Sequence, residues 1–120
     1  MAGAEIRNPD EPFARIDVER TKELIADGAA VIDVREPDEW NKGHIPVATL
    51  APLQQFMMAP QNYIEQDNIV FVCAVGQRSA IACEMAAAMG LERLYNLEGG
   101  TIAWMRANEP TTIPDPPVAE

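Results

Sequence analysis

Cysteine and histidine are scarce in this chain, which has two cysteines, Cys73 and Cys83, and one histidine, His44. Two cysteines in 120 residues do not indicate a disulfide scaffold, and this usage favours a reducing compartment such as the cytoplasm. Their spacing matches no zinc motif, so the sequence predicts no metal site. Any thiol chemistry must therefore fall on one of these two cysteines.

Long apolar runs and an excess of positive charge are also lacking. No segment approaches the roughly 20 apolar residues of a membrane helix, and the first ten residues lack the basic start and apolar stretch of a signal peptide. Lys and Arg number 9 against 19 Asp and Glu, which gives a formal charge of −10. Because such a surface repels phosphate backbones and anionic membranes, we expect no nucleic-acid or membrane partner.

The remaining composition suits one globular domain. The hydrophobic content is 48%, which is normal for a globular core, and 120 residues are too few for two domains of ordinary size. Residues 1–12 are polar and hold two prolines, which predicts a flexible N-terminal extension. Residues 110–120 hold four prolines, which predicts a Pro-rich tail that is either ordered by contact or free. The domain itself is expected over 13–109.

Short apolar runs alternate with helical segments along the chain. The runs predict strands at 13–16, 31–35, 47–50, 69–72 and 92–97. The other periodic segments predict helices at 18–26, 37–40, 52–58, 79–89 and from 99 onward. This alternation predicts an α/β fold with a largely parallel central sheet flanked by helices. Ligands of such sheets bind beyond the C-terminal ends of the strands, where Arg35 and Cys73 both fall.

The segment from Ile69 to Ser79 carries the clearest chemical signal. An apolar strand ends at Cys73, and a tight loop then leads into a helix. The backbone N–H groups of such a loop and of the first helical turn lack intrahelical partners, so they favour a negative charge between them. A thiolate is such a charge, and we expect a lowered pKa for Cys73. Cys83 lies in mid-helix among Ala and Met, which predicts core packing.

Four motifs then follow one another over most of the chain. They are Asp33-Val-Arg35-Glu-Pro-Asp-Glu-Trp40, Gly43-His-Ile-Pro46, Val72-Cys73-Ala-Val-Gly76-Gln-Arg78-Ser79 and Leu97-Glu-Gly99-Gly100-Thr-Ile-Ala-Trp104. In this order they resemble the rhodanese family, the sulfurtransferases that carry sulfur as a cysteine persulfide. The resemblance implies a single rhodanese-like domain that needs no metal or organic cofactor.

The resemblance also implies a site and a reaction. Cys73 is expected to take sulfane sulfur from thiosulfate or a persulfide and to pass it to cyanide or a thiol. The loop expected to cradle that sulfur through its amides consists of Ala74, Val75, Gly76, Gln77, Arg78 and Ser79. Because the first four of these are uncharged, an alternative stays open: a relay or binding module that acts only with a partner protein.

The spacing within the loop separates sulfur chemistry from phosphate chemistry. Four residues lie between Cys73 and Arg78. Cysteine-dependent phosphatases of similar fold have five residues there and a His before the Cys, where this chain has Val72. The shorter loop suits a single sulfur atom, so phosphatase-type hydrolysis is disfavoured.

Two polar residues at the end of the second predicted strand are expected to support the site. Asp33 and Arg35 occupy alternating positions and leave that strand near its C-terminal end. Asp33 is expected to accept loop N–H groups or to pair with Arg78. Arg35 is expected to line the pocket or to bind Glu36 or Asp38 at the surface.

Other motif residues have a structural and a chemical interpretation. Arg78 at a helix start opposes the helix dipole, which indicates that it binds an incoming anion or braces the loop. Ser79 is most simply an N-cap, with contact to the sulfur as the alternative. His44 is expected to be structural, because an ionised thiolate needs no general base. Gly99 and Gly100 are expected to allow a close backbone approach, since no phosphate-binding glycine pattern accompanies them.

Overall fold

Six strands form one sheet in the computed structural model, which describes residues 2–120. In chain order they are β1 (Glu5–Arg7), β2 (Ala14–Ile16), β3 (Ala30–Asp33), β4 (Thr49–Leu50), β5 (Ile69–Val72) and β6 (Leu94–Leu97). The spatial order is β1-β2-β6-β5-β3-β4, in which β1 pairs antiparallel with β2 and the four other pairs are parallel. The predicted α/β fold with a largely parallel sheet is confirmed.

Five α-helices connect and cover the strands. They are α1 (Val18–Ala26), α2 (Pro37–Asn41), α3 (Leu53–Met58), α4 (Gln77–Ala88) and α5 (Gly100–Arg106), and a short 3-10 turn spans Pro60–Asn62. Asp17 caps α1, because its carboxylate accepts the Arg20 N–H at 2.8 Å. Within residues 2–120, no helix has both the length and the apolar character to cross a membrane.

Strand β5 lies at the centre of the sheet and is buried on both faces. Phe71 packs on one face in a cluster with Phe56 and Cys83, and Val70 and Val72 pack on the other face. Alternating side chains of one strand thus serve two cores, which explains why its sequence is a continuous apolar run. The predicted core position of Cys83 is confirmed.

The N-terminal segment differs from the expected flexible extension. Residues 5–7 form strand β1, which pairs with β2 so that Glu5 lies opposite Ile16. The Gly3 N–H donates to a Glu23 carboxylate oxygen at 3.0 Å, and Arg20 bonds Glu5 at 3.0 Å. Strand β1 therefore covers the edge of β2, and the prediction of a flexible extension over 1–12 is corrected for residues 5–7. Met1 lies outside the described residues.

The C-terminal tail is ordered by contact. Thr112 and His44 exchange backbone hydrogen bonds at 2.9 and 3.0 Å in an isolated antiparallel bridge. Further along, the Asn41 side chain bonds both backbone groups of Val118 at 2.8 Å. The tail therefore runs back across the loop that follows α2. Of the two predicted states, a tail ordered by contact and a free tail, the structure shows the first.

Candidate active site

Cys73 lies directly after β5 and is fully buried. The loop that follows is short, and α4 begins at Gln77 with Gly76 as its N-cap at φ +99°. This left-handed conformation favours glycine, and it turns the Gly76 N–H toward Cys73 Sγ at a distance of 3.1 Å. The N–H groups of Val75 and Ser79 also lower the pKa of this thiol. Of the expected cradle of backbone amides, the Gly76 N–H is the one in hydrogen-bond contact with the sulfur.

Opposing effects act on the ionisation of this thiol. Burial raises the pKa of Cys73, whereas hydrogen bonds from Ser79, Gly76 and Val75 lower it by stabilising the thiolate. The hydrogen bonds outweigh burial, so the pKa of the thiol lies below its ordinary value. By contrast, burial raises the pKa of Cys83. The fold therefore makes Cys73 the more readily ionised of the two thiols.

The start of α5 holds the first part of the loop in place. The Thr101 N–H and hydroxyl donate to the Cys73 carbonyl at 2.8 and 3.1 Å, and the Ile102 N–H donates to the Ala74 carbonyl at 3.2 Å. Gly100 makes this approach possible, because a Cβ at its position would lie 2.4 Å from the Cys73 carbonyl oxygen. The predicted close backbone approach at this glycine is confirmed.

Ser79 does not act as the predicted N-cap. The helix begins at Gln77, two residues before the predicted start, and Ser79 lies inside its first turn. Its hydroxyl lies 3.3 Å from Cys73 Sγ and donates to the side-chain oxygen of Asn96. Asn96 is a functional candidate that the sequence analysis missed. Its signal is a single polar residue in the buried strand β6.

Arg78 forms an ion pair that the sequence analysis also missed. Its guanidinium donates two hydrogen bonds to the Glu39 carboxylate, at 2.8 and 2.9 Å. These bonds hold the pKa of Glu39 down to about 2 and raise the pKa of Arg78. Of the two roles expected for Arg78, the structure shows the bracing one, because the pair ties the first turn of α4 to α2.

Asp33 and Arg35 form a separate, buried ion pair. Asp33 lies level with Val72 on the neighbouring strand and is fully buried, and Arg35 is 5% exposed. The Arg35 guanidinium binds both Asp33 oxygens at 2.8–3.1 Å and the Gly43 carbonyl at 2.9 Å. The expected pairing of Asp33 with Arg78 and the expected surface contacts of Arg35 are therefore wrong. The pair instead fastens the end of β3 to the loop after α2.

A family model for the Rhodanese-like domain matches residues 17–107 of the chain. The protein belongs to this family. The match includes the Cys73 loop and both ion pairs. The solved structure of a rhodanese-related protein also superposes on this fold.

Three relatives illustrate how closely the rhodanese-like domain resembles known proteins. A sulfurtransferase of Allochromatium vinosum is 33% identical over 102 residues, which cover 83% of this chain and 95% of the relative. The thiosulfate sulfurtransferase GlpE of Pseudoalteromonas translucida is 31% identical over 79% of this chain and 91% of its own length. The crystal structure of a rhodanese-related protein from Thermoplasma volcanium has a TM-score of 0.74 and 30% identity, and the match covers 83% of this chain and 98% of that one.

The remaining predicted residues of the rhodanese-like domain contribute backbone or packing. Val75 and Gln77 are exposed, so their side chains face solvent rather than the buried sulfur. His44 is buried and stacks on Trp40 with the ring centroids 3.4 Å apart, and its Nδ1 lies 3.2 Å from the Trp40 carbonyl oxygen. These contacts support the structural interpretation of His44.

A cleft in the rhodanese-like domain lies at the N-terminal ends of strands β3 and β5. Ala30 and Ile69, the first residues of these strands, are in its wall. Cys73 follows the opposite end of β5. The cleft is therefore separated from the thiol by the length of the strand and does not belong to the Cys73 site.

Proposed function

We propose that this protein is a sulfurtransferase in which Cys73 carries sulfane sulfur as a persulfide. One observation carries the proposal: a buried thiol of lowered pKa accepts the Gly76 N–H at the start of α4 in a rhodanese-like domain. Backbone N–H groups at such a position stabilise negative charge on sulfur without a general base. The relatives named sulfurtransferase and thiosulfate sulfurtransferase support the same activity.

The first step loads sulfur onto Cys73. The thiolate attacks the outer sulfur of a persulfide R–S–SH, so that a Cys73 S–S bond forms, the donor S–S bond breaks, and RS⁻ leaves. With thiosulfate the same attack releases sulfite and leaves Cys73–S–S⁻. The charge is conserved in both cases, and no external oxidant or reductant is consumed.

The second step unloads the sulfur. A thiolate or cyanide attacks the outer sulfur of the persulfide, the Cys73 S–S bond breaks, and Cys73 leaves as the thiolate. The products are a new persulfide or thiocyanate. The Gly76 amide that bonds the sulfur favours the departure of the thiolate, because it stabilises the charge that develops there.

A persulfide suits this site better as a donor than the thiosulfate dianion does. Arg78 is the basic residue of the active loop, and Glu39 neutralises it through two hydrogen bonds. Arg35 is likewise bound to Asp33. A dianionic donor therefore meets arginines that are already paired, whereas a persulfide brings less charge to neutralise.

A partner-dependent sulfur relay is the second candidate function. Cys73 is fully buried, while Val75 in the loop is 51% exposed, and Ile102 and Met105 on α5 are each 41% exposed. Apolar groups exposed on the active loop and on the helix whose start contacts it are typical of a surface that a protein partner covers. In this alternative, docking of that partner would open the loop, and small donors alone would react slowly.

Initial rates with thiosulfate and with a low-molecular-weight persulfide test the proposal and separate the two candidates. Transfer to cyanide is expected with the wild type, and it is expected to disappear in Cys73→Ser. The matched control, Cys83→Ala, removes the other thiol from the core and is expected to keep the activity. Negligible rates with both donors would favour the relay, and activity retained in Cys73→Ser would refute the mechanism.

A further inference from the structure

A chain of three buried polar groups leads from the reactive sulfur into the sheet. Cys73 Sγ lies 3.3 Å from the Ser79 hydroxyl oxygen, and this hydroxyl bonds to the Asn96 side-chain oxygen. Cys73, Ser79 and Asn96 are all fully buried. Water therefore does not compete for these groups, and each hydrogen bond depends on the orientation of the next group.

The orientation of the Asn96 amide is fixed by its other end. Its Nδ2 donates to the Gly76 carbonyl oxygen at 2.9 Å. The reversed amide would place its oxygen against that carbonyl oxygen, so the side-chain oxygen must face Ser79. An amide oxygen only accepts, and the Ser79 hydroxyl is therefore the donor between them. The hydrogen bond from Asn96 Nδ2 also fixes the position of the Gly76 carbonyl in the loop.

The Ser79 hydroxyl carries a single proton. While that proton is donated to Asn96, the hydroxyl can only accept from Cys73, and this arrangement stabilises the thiol. Once Cys73 ionises, the sulfur becomes a strong acceptor, and the hydroxyl can turn toward it. That rotation leaves the buried Asn96 oxygen without a partner, which costs free energy.

We propose that Asn96 is a positioning residue that competes with the Cys73 thiolate for the hydroxyl proton of Ser79 and thereby limits how readily the thiol ionises. A thiolate with a moderate pKa is a better nucleophile than one with a very low pKa. The competition therefore opposes the effect of the loop amides, which favour ionisation, and keeps the thiolate nucleophilic. This role concerns the free enzyme, so its test does not require sulfur transfer.

Charged groups surround Cys73 from several elements. Arg78 on α4 pairs with Glu39 on α2, and Asp33 pairs with Arg35 at the end of β3. After β6, the Glu98 carboxylate pairs with Arg15 and lies beside Gly76. Substitutions at Ser79 and Asn96 leave every one of these charges in place. A change in the titration of Cys73 in such variants therefore reports the hydroxyl chain.

A double-mutant cycle with a pH titration of the thiolate ultraviolet absorbance tests the proposal. The titration of Cys73→Ser is subtracted as the reference, which removes the tyrosine signal. Ser79→Ala is expected to raise the midpoint by about one pH unit, because the thiolate loses a donor. Asn96→Leu is expected to lower it by about as much, because Ser79 then donates to the thiolate alone. The double variant is expected to titrate like Ser79→Ala.

The coupling between the Ser79 and Asn96 substitutions distinguishes the proposed role of Asn96 from simple support of the loop. If Asn96 acted only through Gly76, Asn96→Leu would shift the midpoint equally with and without the Ser79 hydroxyl, and that result would overturn the proposal. A raised midpoint in Asn96→Leu would overturn it as well. Circular dichroism checks folding, and Asn96→Ala replaces the leucine variant if that one unfolds. If neither folds, an unchanged or lowered midpoint in Ser79→Ala still refutes the competition.

Discussion

Arg78 and Glu39 are joined by two parallel hydrogen bonds, Nη1–Oε1 at 2.8 Å and Nη2–Oε2 at 2.9 Å. This geometry is a strong form of ion pair, because the planar guanidinium matches the carboxylate. It links α2 to the first turn of α4, next to Cys73. The pair stiffens the loop and at the same time occupies the cation that an anionic donor would otherwise use.

Freeing Arg78 is expected to improve the use of thiosulfate. In Glu39→Gln, the amide oxygen can still accept the Glu36 N–H that Glu39 accepts at 3.1 Å, so the start of α2 is kept. The released guanidinium can then bind the dianion, and kcat/KM for thiosulfate is expected to rise about tenfold, since a charge-assisted hydrogen bond contributes about 1.5–3 kcal/mol. The rate with a persulfide is expected to change little.

Asp38→Asn is the matched control for that substitution. It removes one negative charge from the same helix at the neighbouring, exposed position. Equal gains in Asp38→Asn and Glu39→Gln would mean that general surface charge, and not the ion pair, limits thiosulfate. A thiosulfate rate unchanged by Glu39→Gln would contradict the proposed donor preference.

The Arg78–Glu39 pair also predicts a pH dependence of stability. Arg78 lowers the pKa of Glu39 from 4.5 to about 2. Because the folded-state pKa is depressed, the stabilisation is fully present above pH 4.5 and is lost as the pH falls toward about 2. The melting temperature of the wild type is expected to exceed that of Glu39→Gln at pH 7, with the difference shrinking below pH 4.5. A difference that stays constant down to pH 2 would be inconsistent with this account.

Removal of Arg35 is expected to destabilise the domain strongly. Arg35→Ala leaves the Asp33 carboxylate fully buried without its ion partner, which costs about 3–5 kcal/mol in the free energy of unfolding. Urea unfolding measures this loss through the midpoint. Arg7→Ala, on the exposed edge strand, is expected to change the free energy by less than about 0.5 kcal/mol. Similar small shifts of the urea midpoint in Arg35→Ala and Arg7→Ala would rule out a supporting role for the buried Asp33–Arg35 pair.

Substitution of Gly100 tests the contact between α5 and the loop. In Gly100→Ala the new Cβ would meet the Cys73 carbonyl oxygen at 2.4 Å, so the loop must move and sulfur transfer is expected to fall at least about tenfold, by misplacement of the sulfur. Gly28→Ala is the control, because Gly28 also has a positive φ of +100° but has no atom within 4 Å of a built Cβ. It is expected to cost about 1–2 kcal/mol of stability and to keep transfer. Equal loss of transfer in both variants would show that backbone strain alone is responsible.

The parts of the fold that the sequence predicted depend on local signals. The apolar run before Cys73 and each strand or helix of the predicted alternation are signalled by a few neighbouring residues, and the resulting fold agrees with the structure. Strand β1 could not be identified in this way. Its three residues are exposed, and it is a strand only because β2 lies beside it.

The site shows the same division between local and distant contacts. Cys73 and its loop follow from one continuous segment, so both could be located from the sequence. Glu39 is 39 residues from Arg78, and Asn96 is 17 residues from Ser79, so each pairing depends on how the elements pack. The N-cap prediction for Ser79 failed because α4 begins at Gln77, which leaves the Ser79 hydroxyl inside the helix and free to donate to Asn96 on β6.

Intact-mass spectrometry after exposure to a donor tests the central claim, a persulfide on Cys73. The wild type is incubated with thiosulfate and, separately, with a low-molecular-weight persulfide, alongside Cys73→Ser and Cys83→Ala. The account predicts a gain of one sulfur atom in the wild type and in Cys83→Ala, removed by cyanide and absent from Cys73→Ser. A mass that neither donor changes, or a gain that persists in Cys73→Ser, would contradict it.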